Sequence, residues 1–367
     1  MRADALEQWI VSLYGSEVSV TRWQALESGH WLDRFGVSLY NCIQRSVPRL
    51  HHVYFNFLEK AGLHRRASQL RGQAAYIDLL EREQPEVIVS THAHLNHGFF
   101  ELAKQRLGHS VRCLTYCGEL SGGYGFSRHW INASADGFIA AVDACADAAL
   151  QLGMPAAKIY LGGFLLRPAF YCFESDESSE AESLRKSLMG DFDDGRPLIL
   201  LGTGANGANN HVSIIRGLRN ASTPLAIVAL CGHNEAIFQE LTVMNERLER
   251  HRIIPLMYRS DMAAILRAVD LAFVRPGTGT TSECIVCGCP VVFNGIGGVM
   301  PQERITVKYL QALGVPAPLV GRPAQLASIV DQLLAEGDSG ICGQQKKAFK
   351  QINSGLSPAG IVRETLK

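Results

Sequence analysis

The chain has 367 residues, of which 47% are hydrophobic and 19% are charged, a composition typical of a globular protein of about two domains. Its 35 lysines and arginines balance its 35 acids, so no net positive charge favours nucleic-acid binding. No apolar run reaches the roughly 18 residues that a membrane-spanning helix needs, and residues 1–15 lack the features of a secretory signal. We therefore expect a cytoplasmic protein with no nucleic-acid partner.

Ten cysteines are spread along the chain. In a reducing compartment most of them should be small buried side chains rather than disulfides. Cys284, Cys287 and Cys289 stand close enough in sequence to raise the question of a metal site. Because no second cluster follows at zinc-finger spacing, we interpret this segment as a packed junction between a helix and a strand, and we expect no metal.

Short apolar and β-branched runs alternate with helix-like stretches in the first half of the chain. The runs lie at residues 85–93, 110–117, 137–142 and 158–166. Such alternation predicts a parallel sheet built from βα units. The acidic, serine-rich stretch 171–195 then indicates an interdomain linker with a solvated helix.

A second βα series follows. Its predicted strands are PLILLGTG, PLAIVALCG, HRIIPLMY, DLAFVRPG and CPVVFNG. We therefore predict an α/β fold with two doubly wound, Rossmann-like domains. The first would comprise residues 1–170, with the C-terminal helix 356–367 packing back on it, and the second would comprise residues 196–350.

Two glycine-rich turns in the second half each stand between a predicted strand and a predicted helix. The first contains Gly204, and the second consists of Gly277, Thr278, Gly279, Thr280 and Thr281. Either turn alone could be a plain βα connection, but two at neighbouring strand ends indicate a phosphate site, since backbone amides at helix N-termini bind anions. Glu283 in the following helix could accept hydrogen bonds from both hydroxyls of a ribose, or it could simply cap that helix.

Three motifs follow in order from residue 258. They are the turn YRSDM, the strand with PGTGTTSE, and the pair Gln302-Glu303. In this order and spacing the chain resembles the donor-binding half of the GT-B glycosyltransferases that include monogalactosyldiacylglycerol synthase and the lipid II-forming N-acetylglucosaminyltransferase. The first half is more similar to the monogalactosyldiacylglycerol synthases, in LYNCIQRSVPRLHHVYFNFLE, PEVIVSTH, the Trp130 segment and AAKIYLGGFLLRPAF. The resemblance covers nearly the whole chain and implies two domains that face a cleft.

The resemblance also implies a site for a UDP-sugar. Tyr258, Arg259 and Met262 would flank the uracil, Gly204 and the turn from Gly277 to Thr281 would hold the diphosphate, and Glu283 would bind the ribose. Gln302 and Glu303 would bind the sugar hydroxyls, and Arg167 would stabilise the charge of the departing UDP. Members of this fold usually act without a metal, so we expect the UDP-sugar as co-substrate and no cofactor.

The first residues depart from the family pattern. Family members begin with a strand and a glycine-rich turn that ends in histidine, and Met1 falls where that histidine belongs. A histidine there would take the proton of the acceptor hydroxyl. Either the natural chain begins upstream of Met1, which we favour, or the protein lacks this element and has changed its chemistry. In the second case His92, His94 and His97 are weak candidates for the base, because each is more readily explained as a structural histidine.

We predict a UDP-sugar-dependent hexosyltransferase that transfers a hexose or N-acetylhexosamine to a lipid-type acceptor, as a peripheral protein at the inner face of the plasma membrane. Basic and aromatic side chains interleave in residues 46–66 and could contact an anionic membrane surface, although an amphipathic core helix explains them too. The alternatives are a nucleotide-sugar-binding subunit or inactive homologue without the base, and a nucleotide-sugar epimerase. The identity of the sugar, the acceptor and the oligomeric state are left open.

Overall fold

The computed structural model describes residues 1–24, 51–61, 66–70, 73–108, 110–171, 175–190, 194–202, 210–352 and 357–367. The chain divides into two compact units. The first unit consists of Met1–Pro168, Met300–Tyr309 and Gly355–Lys367, and the second of Ala169–Val299 and Leu310–Ser354.

The first unit contains a four-stranded parallel sheet in the order β1-β2-β3-β4. Its strands are β1 (Val87–Ser90), β2 (Arg112–Cys117), β3 (Gly137–Ala140) and β4 (Ile159–Leu161). After their first residues β2 and β3 are buried throughout, which explains their near-continuous apolar sequence. The parallel sheet predicted for the first half is confirmed.

The second unit contains a six-stranded parallel sheet in the order β10-β9-β8-β5-β6-β7. Its strands are β5 (Leu198–Gly202), β6 (Ala226–Gly232), β7 (Arg252–Met257), β8 (Leu271–Val274), β9 (Val291–Asn294) and β10 (Leu319–Val320). The five strands predicted from the sequence are confirmed. The sixth strand was not predicted, because at two residues it is too short to show a hydrophobic periodicity.

Fourteen α-helices lie within the described residues. In chain order they are α1 (Arg2–Tyr14), α2 (His51–Ala61), α3 (Gln73–Glu83), α4 (Gly98–Leu107), α5 (Asp143–Gln151), α6 (Ser175–Met189), α7 (His211–Leu218), α8 (Glu235–Glu246), α9 (Met262–Ala268), α10 (Thr278–Cys287), α11 (Pro301–Ala312), α12 (Leu326–Glu336), α13 (Ile341–Ile352) and α14 (Pro358–Thr365). None of the helices in the described residues has both the length and the apolar character needed to cross a membrane.

The first helix is attached to the segment that follows β4. Ala5, Leu6 and Ile10 are buried on one face of α1. From the same helix Arg2 donates to the carbonyl of Leu165 at 2.8 Å, and the Trp9 indole donates to the carbonyl of Leu166 at 2.7 Å. These long-range bonds fix the start of α1 beside the carboxyl end of the first sheet.

The last helix belongs to the first unit. Arg112 donates to the carbonyls of Glu364 and Thr365 at 3.4 and 3.3 Å. The buried Ile361 packs so close to Gly162 that a Cβ there would lie 2.8 Å from it. The polypeptide therefore returns to its first unit after completing the second.

The acidic stretch 171–195 contains α6 and forms part of the second unit. Ala181 and Met189 are buried on α6. Arg185 donates to the carbonyl of Ala268 at 2.8 Å and forms an ion pair with Asp270 at 2.9 Å. The helix is therefore packed and hydrogen-bonded, while its Glu180 and Glu182 are exposed.

The segment Met300–Tyr309 differs from the predicted domain 196–350, because it belongs to the first unit. Gly125 has a φ of +109°, and a Cβ on it would lie 2.0 Å from the carbonyl oxygen of Pro301. Such close backbone packing needs a residue without a side chain. Contacts of this kind attach the start of α11 to the first unit, and they were not visible in the sequence.

The junction after α10 has the structure predicted for the three clustered cysteines. Gly288 ends the helix in the left-handed conformation, with φ +67°, a common helix terminus. Cys284 and Cys289 are buried on either side of it. Within the described residues, no three His, Cys, Asp or Glu side chains are placed to hold a metal ion.

The short β10 leaves the start of β9 without a strand partner on that side, and Gln345 from α13 takes its place. The buried Gln345 accepts from the amide of Val291 at 2.6 Å and donates to the carbonyls of Val291 and Pro316 at 3.0 and 2.6 Å. One side-chain amide thus satisfies three backbone groups.

We expect Gln345→Leu to lower the free energy of unfolding by about 2–4 kcal/mol, because it leaves these backbone groups unpaired. Urea denaturation followed by circular dichroism measures the change. The adjacent Gln344 is exposed, so Gln344→Leu is the matched control and should stay within about 0.5 kcal/mol of the wild type. Equal stability of the two variants would refute this role for Gln345.

Candidate functional site

The second sheet has a switch point between β5 and β8. From β5 the chain order runs outward through β6 and β7 on one side, while β8, β9 and β10 lie on the other. In open parallel sheets, ligands bind beyond the carboxyl ends of the strands at such a reversal. The segments that follow β5 and β8 are the two glycine-rich ones found in the sequence. Gly204 lies outside the described residues.

The segment after β8 is a helix start rather than a separate loop. Gly277 is the N-cap of α10, and the residues from Thr278 to Thr281 form its first turn. The first amides of a helix have no acceptor within it, so they are available to an anion. Thr281 is fully buried, and its hydroxyl has no hydrogen-bond partner among the described residues. Glu283 is half-buried one turn further along.

The turn after β7 presents exposed side chains. Tyr258 and Arg259 are exposed, and Met262 is half-buried as the first residue of α9. The Arg259 guanidinium donates to the Asp261 carboxylate, with Nε 2.8 Å from Oδ1, and holds the pKa of that carboxyl below its usual value. The turn therefore carries an ion pair at neutral pH.

His233 is a neighbour of this turn that the sequence did not single out. It follows β6 directly, and its ring stacks on that of Tyr258 with 4.9 Å between centroids and 11° between planes. The two rings form an aromatic surface at the carboxyl ends of β6 and β7. The sequence signal that could have identified His233 is its place as a polar residue directly after a buried strand.

The predicted residues of the second unit that the structure describes therefore lie along one edge of one sheet. The ends of β7 and β8 are separated by β6 and β5, which is three strand spacings or about 14 Å. Aromatic rings stand at one end of this span, and the helix N-terminus with Glu283 stands at the other. An extended ligand with a flat ring and an anionic group fits this arrangement.

Arg275 is a second residue that the sequence did not assign. It follows β8 directly and donates to the carbonyls of Ile296 and Gly298 at 3.1 and 2.8 Å. It thereby connects the segment after β8 to the segment after β9. The only sequence signal that could have identified Arg275 is again its position directly after a buried strand.

The three histidines considered as bases lie after β1, in the first unit. His92 is exposed and accepts from the amide of His94 at 3.3 Å. The rings of His94 and His97 lie 4.9 and 6.3 Å from that of His129, between centroids. His129 is buried and hydrogen-bonds the carbonyl of Leu58 in α2 at 3.2 Å. The structure therefore groups His94 and His97 around a histidine that the sequence had not suggested.

The remaining predicted residues also belong to the first unit. Glu303 is buried, and its Oε2 accepts from the amide of Met300 at 2.8 Å, which caps the start of α11. Gln302 beside it is half-buried, and Arg167 is half-buried in the segment after β4. The predicted sugar-binding pair and Arg167 are thus in a different unit from the residues around α10.

Comparison with known proteins identifies the fold and the relatives. The sequence profile of the monogalactosyldiacylglycerol (MGDG) synthase family matches residues 2–165, somewhat less than half of the chain. A processive diacylglycerol beta-glucosyltransferase of Bacillus cytotoxicus is 24% identical over 275 residues, which is 75% of this chain and 66% of that protein. The corresponding protein of Bacillus mycoides is 24% identical over 78% of this chain and 69% of its own length. The match thus spans about two thirds of these relatives.

Solved structures agree in fold. MurG of Acinetobacter baumannii has a TM-score of 0.53 and 16% identity over 81% of this chain and 79% of its own. Anabaena Alr3699/HepE, solved with UDP and glucose, has a TM-score of 0.53 and 16% identity over 80% and 81%. Arabidopsis thaliana UGT89C1 with UDP-L-rhamnose reaches 0.56 at 13% identity over 88% and 80%.

The chain has the GT-B glycosyltransferase fold and resembles the MGDG synthases. The fold and the family resemblance predicted from the sequence are confirmed. Neither unit is continuous in sequence: the chain leaves the first unit near residue 169, contributes Met300–Tyr309 to it and returns to it with α14. The roles of individual residues remain predictions.

We expect Arg275→Met to loosen the segment after β9, because it removes two hydrogen bonds while keeping the aliphatic stem. Amide hydrogen exchange in residues 295–300 should become about tenfold faster, which corresponds to roughly 1.4 kcal/mol. Arg304 is exposed in α11, so Arg304→Met is the control and should leave this exchange unchanged. Unaltered exchange in Arg275→Met would exclude Arg275 as the residue that positions this segment.

Proposed function

We propose that the protein transfers a hexose or N-acetylhexosamine from a UDP-sugar to a lipid-type acceptor. The observation that carries the proposal is that β5 and β8, the two strands followed by glycine-rich segments, are neighbours at the switch point of the second sheet. The names of the relatives support a lipid acceptor, since they are diacylglycerol glucosyltransferases. The neighbours solved with UDP or UDP-L-rhamnose support the donor.

The second unit would bind the nucleotide. The diphosphate would lie at the N-terminus of α10, where free amides and the helix dipole favour negative charge. The buried Thr281 hydroxyl would gain a partner there, and Glu283 would accept from the ribose hydroxyls. Tyr258, Arg259 and Met262 would hold the uracil, with His233 stacked behind Tyr258. Gly204 would contribute from the first glycine-rich segment.

The first unit would contribute to the sugar and the acceptor. Gln302 and Glu303 would bind sugar hydroxyls, and Arg167 would stabilise charge on the leaving UDP. Both Gln302 and Arg167 are half-buried, a state that allows a side chain to contact a ligand. No metal or further cofactor has a role in this scheme.

An apolar patch on the first unit would bring the protein to its acceptor. Val53 and Phe57 are 69% and 61% exposed, and their spacing of four places them on one face of α2. Tyr124 is 49% exposed and contacts a different face of α2, through Phe55 and a 3.0 Å hydrogen bond to His52. Large exposed apolar groups that cluster mark an interaction surface. We place this patch against an anionic membrane at the inner face of the plasma membrane.

We expect Glu283→Gln to weaken UDP binding about tenfold to a hundredfold, because it removes charge-assisted hydrogen bonds worth roughly 1.5–3 kcal/mol. Isothermal titration calorimetry measures this. Glu240 is exposed in α8 of the same unit, so Glu240→Gln is the control and should bind like the wild type.

The wild type should also release UDP from one of UDP-glucose, UDP-galactose or UDP-N-acetylglucosamine when diacylglycerol vesicles are present, and it should form the glycolipid. UDP binding without turnover would instead indicate a nucleotide-sugar-binding subunit without transferase activity. Acceptor-independent conversion of the donor would indicate an epimerase, and absence of UDP binding would refute the donor site.

We expect the double variant Val53→Ser, Phe57→Ser to lose most of its binding to anionic liposomes in a flotation assay, because serine cannot bury apolar surface in the lipid. Leu150 is 47% exposed elsewhere in the first unit, so Leu150→Ser is the control and should float like the wild type. If both variants float equally well, α2 is not the part of the protein that contacts the membrane.

A further inference from the structure

An extra residue interrupts the pairing of β6 with β7 just before the two strands end. Leu230 pairs with Leu256, but the next pair is Gly232 with Met257, so the register shifts by one residue at Cys231. We call Cys231 with Gly232 the β6 bulge. Bulges are uncommon in parallel sheets, and where they occur they redirect the side chains that follow them.

The β6 bulge decides which residue lies beside Tyr258. His233 follows Gly232 and Tyr258 follows Met257, so the shifted register brings His233 next to Tyr258. The two rings stack at 4.9 Å between centroids, which is about one strand spacing. Without the extra residue Gly232 would take this place, and His233 would lie one residue further on with its side chain on the other face. The stacked pair therefore depends on the bulge.

The backbone on both sides of His233 is fixed. Gly232 has a φ of +57°, in the left-handed region that favours glycine. The amide of Asn234 donates to the carbonyl of Cys231 at 3.0 Å, and the Asn234 side chain accepts from the amide of Ile237 at 3.2 Å, at the start of α8. His233 is thus held between a closed turn and a capped helix.

His211 supplies a hydrogen bond at the point where the bulge begins. It is buried at the start of α7, and its Nε2 lies 2.9 Å from the carbonyl oxygen of Leu230. A carbonyl can only accept, so Nε2 carries the proton and donates. Burial lowers the pKa of His211 to about 4, while the bond to Leu230 acts in the raising direction. The imidazole is therefore neutral at pH 7, and it connects α7 to the end of β6.

The aromatic pair itself is open to a ligand. Tyr258 is 64% exposed, and His233 is exposed as well. Stacking on His233 covers one face of the Tyr258 ring and leaves the other face available. A base that stacks on an aromatic side chain typically gains about tenfold in affinity. The position of the Tyr258 ring therefore matters for a ligand with a flat base.

We infer that His211 and the β6 bulge position the surface on which the nucleotide base lies, an inference that rests on the proposed function. His211 holds the carbonyl of Leu230, the bulge turns His233 toward Tyr258, and the His233 ring supports the Tyr258 ring against the base. His211 and Cys231 are fully buried, so they are positioning residues that do not touch the ligand. The arrangement acts on the base of the nucleotide and not on its diphosphate.

The decisive experiment measures the binding of UDP and of inorganic pyrophosphate separately. Isothermal titration calorimetry gives the Kd for UDP, and displacement of UDP gives the Kd for pyrophosphate. His211→Leu should weaken UDP binding about tenfold, because the carbonyl of Leu230 loses its donor and the stacked pair loses its position. Its Kd for pyrophosphate should change by less than about twofold. His211→Gln keeps an N–H donor on a side chain that can reach the same carbonyl, and should bind UDP within about threefold of the wild type.

His251 provides the matched control. It is also buried in the second unit, and it accepts from the amide of Leu225 at 3.2 Å, at the opposite end of β6. His251→Leu should lower the Tm as His211→Leu does, because each variant leaves one backbone group without its side-chain partner. Both Kd values of His251→Leu should stay at the wild-type level. The comparison separates a loss of stability from a loss of base binding.

A double-mutant cycle tests whether His211 acts through His233. His233→Ala alone should weaken UDP binding about tenfold and leave pyrophosphate binding unchanged. Adding His211→Leu to this variant should weaken UDP binding by less than a further twofold, because the support of Tyr258 is already lost. Fully additive losses would show that His211 acts by another route and would overturn the inference.

The outcomes distinguish the two proposals. If the wild type binds UDP and His211→Leu binds it equally well, or loses UDP and pyrophosphate to the same extent, the inference is overturned and the donor site stands. If His211→Leu does not fold, Gly232→Ala takes its place, because a side chain in the left-handed region strains the bulge. That variant should weaken UDP binding at least about threefold, and wild-type binding by it would overturn the inference. If the wild type does not bind UDP, the proposed function fails and this inference fails with it.

Discussion

The architecture depends on the burial of two parallel sheets. Their central strands are covered on both faces and are therefore almost wholly apolar, as β5, β8 and β9 show. Polar chemistry can then occur only where strands end. Because parallel strands all end at the same edge, residues far apart in sequence become neighbours there. Tyr258, Thr281 and Glu283 in the second unit, and His92 in the first, are all placed by this one constraint.

The same constraint explains how much could be predicted from the sequence. Apolar runs bounded by glycine and proline identify the longer strands, and the order of motifs after β7 and β8 identifies the fold. The two-residue β10 has no period to detect. The segment Met300–Tyr309 packs with the first unit, where Pro301 contacts Gly125. This is a long-range contact that no local sequence pattern encodes. For that reason Gln302 and Glu303 were predicted with the second unit and lie in the first.

Side-chain contacts between residues far apart in sequence could not be predicted either. Gln345 acts as a substitute strand for Val291 from 54 residues away, and His129 becomes the centre of a histidine group through the packing of α2. Neither role follows from residue type or spacing. A polar residue directly after a buried strand was, however, a usable signal in two cases, namely His233 and Arg275. In a parallel α/β protein such positions deserve the same weight as recognised motifs.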